Sequence, residues 1–161
     1  MSVEKEKLRI GFVGGGPGSL IGPIHAMAST MDQCFEIVAG TFSRDYEKTK
    51  EQVELLGIDP DRGYRDYKEM AEKEAQRDDG IDVVAILTPN DNHVTASKAF
   101  LEEGIHVLCE KPLATNAKEA FSLSQFAKDK ELLLITCYNY SGFPMVRQAR
   151  AMIQKGDLGK L

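Results

Sequence analysis

The stretch LRIGFVGGGPGSLIGPIH at residues 8–25 decides the fold. Its apolar first part, residues 8–13, has no helical period and predicts a buried strand that leads directly into glycines. Glycines at a strand-to-helix turn let the backbone turn tightly and let a phosphate approach without a Cβ in the way, while the helix N-terminus faces the negative charge. Gly14 and Gly16 stand at the first two positions of such a turn.

The third glycine of the dinucleotide pattern G-x-G-x-x-G is expected at position 19, which is Ser19 in this chain. Gly22-Pro23 follows three residues later. Proline is favoured at the first helical position, and a glycine just before it can cap the helix. We therefore interpret the stretch as a lengthened dinucleotide loop in which Gly22 serves as the third glycine.

Two other interpretations of the glycine loop stay open. It could be a glycine-rich connection without a ligand. Its spacing Gly14-x-Gly16-x-Gly18 also resembles the S-adenosylmethionine loop of methyltransferases, which usually place an acid at the end of the second strand. The phosphate loop of kinases is excluded, because no Gly-Lys-Ser/Thr follows.

Strand-like and helix-like segments alternate along the chain. Apolar runs without a helical period predict strands at residues 8–13, 35–42, 81–87, 106–109 and 132–138. Amphipathic stretches predict helices at residues 46–56, 66–77, 95–103, 116–130 and 146–155, besides the helix after Gly22. This alternation predicts an α/β fold with a doubly wound parallel sheet, a Rossmann fold, covered by helices on both faces.

Length and composition indicate one globular domain spanning residues 1–161, with 42% hydrophobic and 28% charged residues. The longest apolar run, residues 132–138, is far short of the roughly 20 residues of a membrane helix, and no signal-peptide core is evident. We therefore expect no membrane partner and a cytoplasmic location. The net charge of -5 gives no general attraction to nucleic acid. The three cysteines and three histidines lack disulfide or metal-ligand spacing, so we expect buried thiols and no metal.

The end of the second predicted strand, Gly40-Thr41-Phe42-Ser43-Arg44, bears on the cofactor. An acid there would accept hydrogen bonds from the ribose 2′-hydroxyl of NAD, whereas a hydroxyl and a guanidinium can hold the 2′-phosphate of NADP. Ser43 and Arg44 therefore favour NADP over NAD. The structural alternative is that Ser43 or Asp45 caps the next helix and that Arg44 is solvated.

Three further motifs follow predicted strands: Thr88-Pro89-Asn90 with His93, Glu110-Lys111-Pro112, and Tyr138-Asn139-Tyr140 with Pro144. Open α/β sheets bind ligands along this edge. Together with the lengthened glycine loop, these motifs resemble the N-terminal domain of the glucose-fructose oxidoreductase, inositol dehydrogenase and MocA family. The resemblance covers nearly the whole chain, and the Glu-Lys-Pro motif is a specific part of it.

The resemblance implies hydride transfer between NAD(P) and a carbon that bears a hydroxyl, on a sugar, cyclitol or related polyol. It places Lys111 near the nicotinamide and the substrate, where a cation stabilises a developing alkoxide, so Lys111 is the candidate catalytic residue. Glu110 would orient Lys111 or contact the cofactor, and His93 would line the cofactor or cap the following helix. The predicted cofactor contacts, from the residues and the resemblance together, are Gly14, Gly16, Gly22, Ser43, Arg44, Thr88, Pro89, Asn90, His93, Glu110, Lys111 and Asn139.

Two departures from the family pattern bear on activity. Ser141-Gly142 stands where an arginine often follows the Asn-Tyr pair. The family also places its substrate site, with an Asp and a His for acid/base chemistry, on a second domain that these 161 residues do not supply. Gly156 as a helix C-cap, with a turn after it, suggests a longer protein. We therefore expect this chain to bind the cofactor but to turn over little substrate alone, and the parent protein to be a homo-oligomer.

Two functions of other classes compete with an oxidoreductase. One is a noncatalytic redox sensor that keeps the fold, although a sensor would not need a reactive lysine at position 111. The other is a methyltransferase, which would bind S-adenosylmethionine in preference to any nicotinamide cofactor.

Overall fold

The centre of the computed structural model, which describes residues 7–160, is a 5-stranded parallel sheet in the order β2-β1-β3-β4-β5. The strands are β1 (Leu8–Gly14), β2 (Phe35–Thr41), β3 (Val83–Leu87), β4 (His106–Glu110) and β5 (Leu134–Cys137). The helices are α1 (Gly22–Met31), α2 (Tyr46–Leu56), α3 (Tyr67–Ala75), α4 (His93–Glu102), α5 (Ala117–Asp129) and α6 (Pro144–Lys155), with short 3-10 turns at Pro60–Arg62, Asn90–Asn92 and Asn139–Gly142. The predicted domain 1–161 includes residues 1–6 and 161, which lie outside the described residues.

The strand order reverses between β1 and β3. From β1 the chain crosses to β2 on one side, and it then returns past β1 to β3 on the other side. A crevice opens at the carboxyl ends of the strands at such a reversal, and α/β sheets bind their ligands there. The glycine loop leaves β1 at this point.

Each face of the sheet packs against its own set of helices. On one face, Ile10, Phe12 and Ala85 pack with residues of α1 and α2. On the other face, Val84 and Val107 pack with residues of α3, α4 and α5. Because side chains alternate between the two faces of a strand, the continuous apolar runs of β1 and β3 fill both cores. The prediction of a doubly wound α/β sheet with helices on both faces is confirmed.

Capping residues fix where several helices begin. Asp66 and Asn116, expected as first helical residues, instead accept hydrogen bonds from backbone N–H groups of the first turn, so α3 and α5 each begin one residue later. Helix α4 begins two residues earlier than predicted, because the turn Asn90–Asn92 leads directly into it. Gly156 ends α6 in the left-handed conformation, which confirms its C-cap role.

A buried charge cluster fixes α3 against the loop before it. The carboxylate of Glu74 accepts hydrogen bonds from the Arg62 guanidinium, from the Tyr64 hydroxyl at 2.6 Å and from the Ile81 N–H at 3.1 Å. Burial, together with the hydrogen bond to Glu74, raises the pKa of Tyr64 well above its usual value. Both carboxylate oxygens of Glu74 are therefore partnered, which is the condition for keeping a buried charge.

The cysteines do not share one environment. Cys109 is buried as expected, and Cys137 is partly buried. Cys34 is exposed, so the expectation of a buried thiol is wrong at this position. The reason is local: Cys34 lies in the turn before β2, where its N–H donates to the Asp32 carboxylate at 3.2 Å, and the strand enters the sheet only after it.

The last helix, α6, packs against the turn Asn139–Gly142 that precedes it, and most of its side chains are exposed. Met145, Val146 and Ile153 are exposed apolar residues of this helix. Within residues 7–160, every helix is too short or too polar to cross a membrane.

Candidate functional site

The glycine loop is held between the ends of β2 and β3. Gly14 and Gly15 have φ angles of 83° and 76°, in the left-handed region that favours glycine. A Cβ on Gly14 would lie 2.8 Å from the Leu87 carbonyl oxygen, and one on Gly16 would lie 2.6 Å from the Phe42 carbonyl oxygen. The Gly16 N–H donates to that same Phe42 oxygen at 3.2 Å. The glycines therefore allow the loop to approach two strand ends closely.

Gly22 is the first residue of α1 rather than its cap, which corrects the expected capping role. Ile21 is the N-cap and is already in the right-handed helical region, with φ -92° and ψ -27°. The Gly22 N–H donates to the Ser19 hydroxyl at 3.1 Å, so Ser19 satisfies one N–H at the helix start. A Cβ on Gly22 would lie 1.8 Å from the Gly15 carbonyl oxygen, and only glycine lets the helix begin this close to the loop.

A cleft of about 580 Å³ opens beside the glycine loop, at the reversal of strand order. Its lining includes six predicted site residues: Gly14, Gly16, Ser43, Arg44, Thr88 and Pro89. Among the residues that the structure describes, the other six predicted ones lie outside this lining: Gly22, Asn90, His93, Glu110, Lys111 and Asn139. The lining also contains Arg65, Asp66 and Tyr67, which no sequence pattern indicated.

The cleft wall at the end of β2 carries a hydroxyl and a guanidinium. Asp45, the acid of this segment, caps α2 by accepting from the Glu47 N–H at 3.1 Å. The Ser43 hydroxyl accepts from the Asp45 N–H at 3.1 Å, and a hydroxyl that accepts one hydrogen bond can still donate another. Arg44 is exposed on the cleft. The capping alternative therefore holds for Asp45, while Ser43 supports the turn and also lines the cleft.

A buried histidine connects the turns after β3 and β4. His93 is 0% exposed, its Nε2 lies 2.8 Å from the Thr88 carbonyl oxygen, and its Nδ1 lies 2.6 Å from the Pro112 carbonyl oxygen. Direct contact between this ring and a cofactor does not fit that burial. The capping alternative is also wrong, because Asn92 is the N-cap of α4. The buried His93 ring thus connects the turn after β3 with the turn after β4, and both turns carry predicted site residues.

The Thr88 hydroxyl is an orphaned polar group beside the cleft. Its Oγ1 is buried and has no hydrogen-bond partner among the described residues, although the residue lines the cleft. A buried hydroxyl without a partner costs free energy. An acceptor or donor atom of a bound ligand would satisfy it.

Glu110 anchors the Glu-Lys-Pro motif at the end of β4. Its Oε2 accepts from the Lys111 N–H at 3.1 Å, and its Oε1 lies 2.9 Å from Nε2 of His25 on α1. The side chains of His25 and Glu110 are each only 15% exposed. Lys111 is exposed, and its bond to Pro112 is cis. Glu110 therefore contacts the backbone of Lys111 and leaves the lysine side chain on the surface.

The fold also assembles a cluster that no sequence spacing indicated. Ligand atoms of His25, Glu110 and Cys137 all lie within 4.8 Å of one another. Burial, with the charge of Glu110, raises the pKa of Cys137 to about 12, so the thiol is protonated at neutral pH. The His25 imidazole and the Glu110 carboxylate in this cluster are partners of each other.

Asn139 begins the short turn after β5 and is exposed. Cys137, the last residue of β5, pairs with Glu110 of β4. Asn139 therefore follows the strand end next to the Glu-Lys-Pro motif, on the same sheet edge as Lys111 and outside the lining of the cleft.

Comparison with known proteins places this geometry in a family. The family model described as "Oxidoreductase family, NAD-binding Rossmann fold" (GFO_IDH_MocA) matches residues 8–138. The chain belongs to this family. The match includes the glycine loop, the Thr-Pro-Asn turn and the Glu-Lys-Pro motif, and it confirms the family resemblance inferred from those residues.

Relatives of the chain are longer proteins. The uncharacterized oxidoreductase YfiI of Bacillus subtilis is 41% identical over 160 residues, which cover 99% of this chain and 41% of the relative. An inositol dehydrogenase homolog from Azotobacter vinelandii, solved with NADH and myo-inositol, is 43% identical with a TM-score of 0.93, over 96% of this chain and 41% of that one. A mutant 3-ketoreductase from Actinomadura kijaniata, solved with TDP-benzene and NADP, is 27% identical with a TM-score of 0.73, over 96% of this chain and 46% of its own. The chain thus spans about two fifths of the first two relatives.

Proposed function

We propose that this chain is the dinucleotide-binding part of an oxidoreductase that transfers a hydride between NADP or NAD and a CH–OH carbon of a sugar, cyclitol or related polyol. The observation that carries the proposal is the glycine loop at the strand reversal, where a Cβ at Gly14 or Gly16 would meet a carbonyl oxygen at 2.8 or 2.6 Å. Such a loop opens its backbone and the start of α1 to a pyrophosphate. The orphaned Thr88 hydroxyl beside it is a ready partner for a bound group.

The residues that would hold the cofactor form three groups along the sheet edge. The glycine loop, with Gly14, Gly16 and Gly22, would bind the pyrophosphate. Ser43 and Arg44 would bind the adenosine ribose. The nicotinamide side would be held by Thr88, Pro89, Asn90, Glu110, Lys111 and Asn139. Because the acid of the β2 end caps a helix and a guanidinium lines the cleft, NADP is the favoured cofactor. His93 would act by positioning the turns after β3 and β4.

Lys111 is the proposed catalytic residue. When bound, the nicotinamide ring supplies or accepts the hydride. The ammonium of Lys111 would stabilise the negative charge that develops on the substrate oxygen, while the hydroxyl proton would pass to the acid/base partner of the second domain. Glu110 holds the Lys111 N–H at 3.1 Å and so fixes where the lysine side chain leaves the turn.

We further propose that a second domain supplies the substrate site and the acid/base partner, and that this chain alone turns over little substrate. Supporting this, YfiI is longer than the segment it shares with this chain, which covers 41% of it. Apolar side chains are exposed near β5 and on α6: Ile135, Phe143, Met145 and Ile153. A second domain that packed on this part of the surface would cover these side chains. The polyol ligand and the homo-oligomeric contacts of the parent protein would belong to that second part.

Calorimetric titration of the chain with NADPH, NADH and S-adenosylmethionine tests the binding proposal. We expect both dinucleotides to bind, NADPH at least about tenfold more tightly, which corresponds to about 1.4 kcal/mol. The variant Arg44→Ala should reduce that preference. Gly16→Ala should weaken both dinucleotides more than about tenfold because its Cβ would meet the Phe42 oxygen at 2.6 Å. In the matched control Gly142→Ala, the Cβ meets nothing within 4 Å, and binding should be unchanged.

Two results would contradict this binding proposal. Tighter binding of S-adenosylmethionine than of either dinucleotide would favour the methyltransferase. Binding of none of the three would favour a connection without a ligand.

Substitution of Lys111 separates the oxidoreductase from a redox sensor. In an enzyme that carries this chain together with its substrate domain, Lys111→Met should lower kcat by roughly 10²- to 10⁴-fold. The Kd for NADPH should change little, since the glycine loop and the β2 end are intact. The control Lys118→Met removes an exposed lysine of α5 and should leave kcat unchanged. A redox sensor would bind the dinucleotide and show no turnover with any polyol before or after the substitution.

A further inference from the structure

The loop before α3 is fastened to the end of β2 by backbone contacts. Gly63 forms a parallel bridge with Gly40, and the Tyr64 N–H donates to the Gly40 carbonyl oxygen at 2.9 Å. This pairing lies on the side of β2 away from β1, since Gly40 also pairs with Phe12 of β1. Arg65, the next residue of the loop, is thereby brought to the cleft wall that Ser43 and Arg44 form.

Tyr46 provides a platform for the Arg65 side chain. Its hydroxyl donates to the Gly63 carbonyl oxygen at 3.3 Å, which connects the first residue of α2 to the loop before α3. The Arg65 guanidinium carbon lies 4.1 Å from the centre of the Tyr46 ring. A guanidinium stacked on an aromatic face keeps its N–H donors at the ring edge available. The Arg65 side chain is therefore preorganised against Tyr46, which follows Arg44 by two residues.

The charges at this end of the cleft favour a phosphate. Arg44 and Arg65 are both exposed and both line the cleft. Asp66 also lines it, but its Oδ1 accepts from the Lys68 and Glu69 N–H groups as the cap of α3. Guanidinium groups match phosphate oxygens bidentately, and a dianionic phosphate draws most benefit from two of them.

We propose that Arg44 and Arg65 form a two-arginine clamp for a phosphate monoester on the 2′-position of the adenosine ribose, with the Ser43 hydroxyl as a third donor. The proposal rests on the proposed function, and it adds Arg65 as a specificity-determining residue contributed by a different loop from Ser43 and Arg44. Arg65 distinguishes NADP from NAD because only NADP carries the 2′-phosphate. Tyr46 acts as a positioning residue by holding the Arg65 side chain.

The competing role for Arg65 is stacking on the adenine ring, which both dinucleotides share. The two roles differ in one measurable quantity, the ratio of the Kd values for NADH and NADPH. Loss of a phosphate contact lowers that ratio, whereas loss of adenine stacking weakens both dinucleotides equally and leaves the ratio unchanged.

The test is calorimetric titration of the chain with NADPH, NADH, 2′,5′-ADP and 5′-AMP, in wild type, Arg65→Ala, Arg65→Lys and Arg44→Ala. For Arg65→Ala we expect the Kd of NADPH and of 2′,5′-ADP to rise at least about tenfold, and that of NADH and 5′-AMP to change less than about twofold. Arg65→Lys should retain part of the preference, because it keeps the charge but not the planar fork. The control Arg150→Ala removes an exposed arginine of α6, outside the cleft, and should change neither Kd.

Three results would overturn the clamp, and they are distinguishable from failure of the proposed function. Equal weakening of all four ligands in Arg65→Ala would assign Arg65 to the adenine. An unchanged Kd for NADPH in Arg65→Ala would leave Arg44 as the specificity residue without a partner. Equal binding of NADH and NADPH by the wild-type chain would refute the clamp while the dinucleotide site stands, whereas binding of none of the four ligands would refute both.

Discussion

Arg62 and Arg65 are three residues apart in one loop, yet their surroundings are opposite. Arg62 is 5% exposed and donates to both carboxylate oxygens of Glu74 and to the Asp79 carbonyl oxygen. Arg65 is exposed, stacks on Tyr46 and faces the cleft. A buried guanidinium must be saturated by fixed partners, whereas an exposed one keeps donors for a ligand. In this pair, the arginine whose N–H groups are bonded to fixed partners stabilises the fold, and the arginine that keeps N–H groups available is the candidate for binding a ligand.

The largest expected effect is loss of the buried partner of Arg62. Glu74→Gln keeps the size of the side chain but leaves the buried Arg62 charge with only the exposed Asp79 carboxylate, 3.8 Å away, as a counter-charge, and we expect the free energy of unfolding to fall by about 3 kcal/mol. Urea denaturation followed by circular dichroism measures it. The control Glu72→Gln alters an exposed carboxylate of the same helix and should change stability by less than about 0.5 kcal/mol.

A second variant keeps this first prediction testable if Glu74→Gln does not fold. Arg62→Met combined with Glu74→Gln removes both charges and keeps an amide oxygen that can accept from Tyr64 or Ile81, so it should cost less than the single change. Equal losses in the single and the double variant would show that packing, and not charge saturation, accounts for the effect.

His93 extends the comparison to a buried ring between two carbonyl groups. His93→Leu leaves the carbonyl oxygens of Thr88 and Pro112 without their ring partner, and we expect a loss of about 1–3 kcal/mol in unfolding free energy. His106→Leu is the matched comparison: its ring accepts one N–H, from Leu133, and is less buried, so its loss should be smaller. A larger loss for His106→Leu would contradict the link between saturation and stability.

The sequence sufficed for the fold because its signals are local. The apolar runs and amphipathic stretches gave all five strands in their order along the chain, and the α2 boundaries, residues 46–56, match the structure. The glycine loop was also predictable, since a Cβ on Gly14, Gly16 or Gly22 would meet a nearby backbone oxygen. The start of α1 was misplaced by one residue because Ser19, and not Gly22, supplies part of the cap, a detail of local hydrogen bonding that residue type does not reveal.

The candidate site was only partly predictable because some of its contacts are long-range. Arg65 enters the cleft through the pairing of Gly63 with Gly40, and no local motif marks that pairing. His25 and Glu110 meet across 85 residues of sequence. His93 was recognised from its motif, but its position behind the turns depends on the Pro112 carbonyl group, which only the folded sheet brings near.

The ion pair of Asp82 with Arg9 is intermediate in exposure between Arg62 and Arg65, since each of its side chains is 34% exposed. Burial alone would raise the pKa of Asp82, but hydrogen bonds from the Arg9 N–H at 2.7 Å and from its guanidinium lower it overall. A lowered folded-state pKa contributes stability above the unfolded value of about 3.9, and that contribution is lost as pH falls through the folded value.

We therefore expect Asp82→Asn to cost about 0.5–1 kcal/mol near neutral pH, a figure typical of half-exposed pairs. The difference from wild type should shrink as pH falls through the folded pKa, below about 4. Urea denaturation at several pH values measures this. The control Asp78→Asn changes an exposed carboxylate and should show no such trend. A deficit that persists at the lowest pH would mean that the amide disturbs the Arg9 N–H contact irrespective of charge.

Arg65→Ala is expected to have the smallest effect on stability, no more than about 0.5 kcal/mol, although it should alter cofactor choice most. The guanidinium stacks on an exposed ring face, and the loop that carries it is held by backbone pairing at Gly63 and Tyr64, which the substitution leaves in place. Urea denaturation of Arg65→Ala beside Arg62→Ala measures the contrast directly. If the two variants lose similar stability, Arg65 belongs to the structural network of its loop, and saturation does not distinguish the two arginines. If only Arg62→Ala is destabilised, Arg65 contributes little to the stability of the fold, and its side chain is available to bind a ligand.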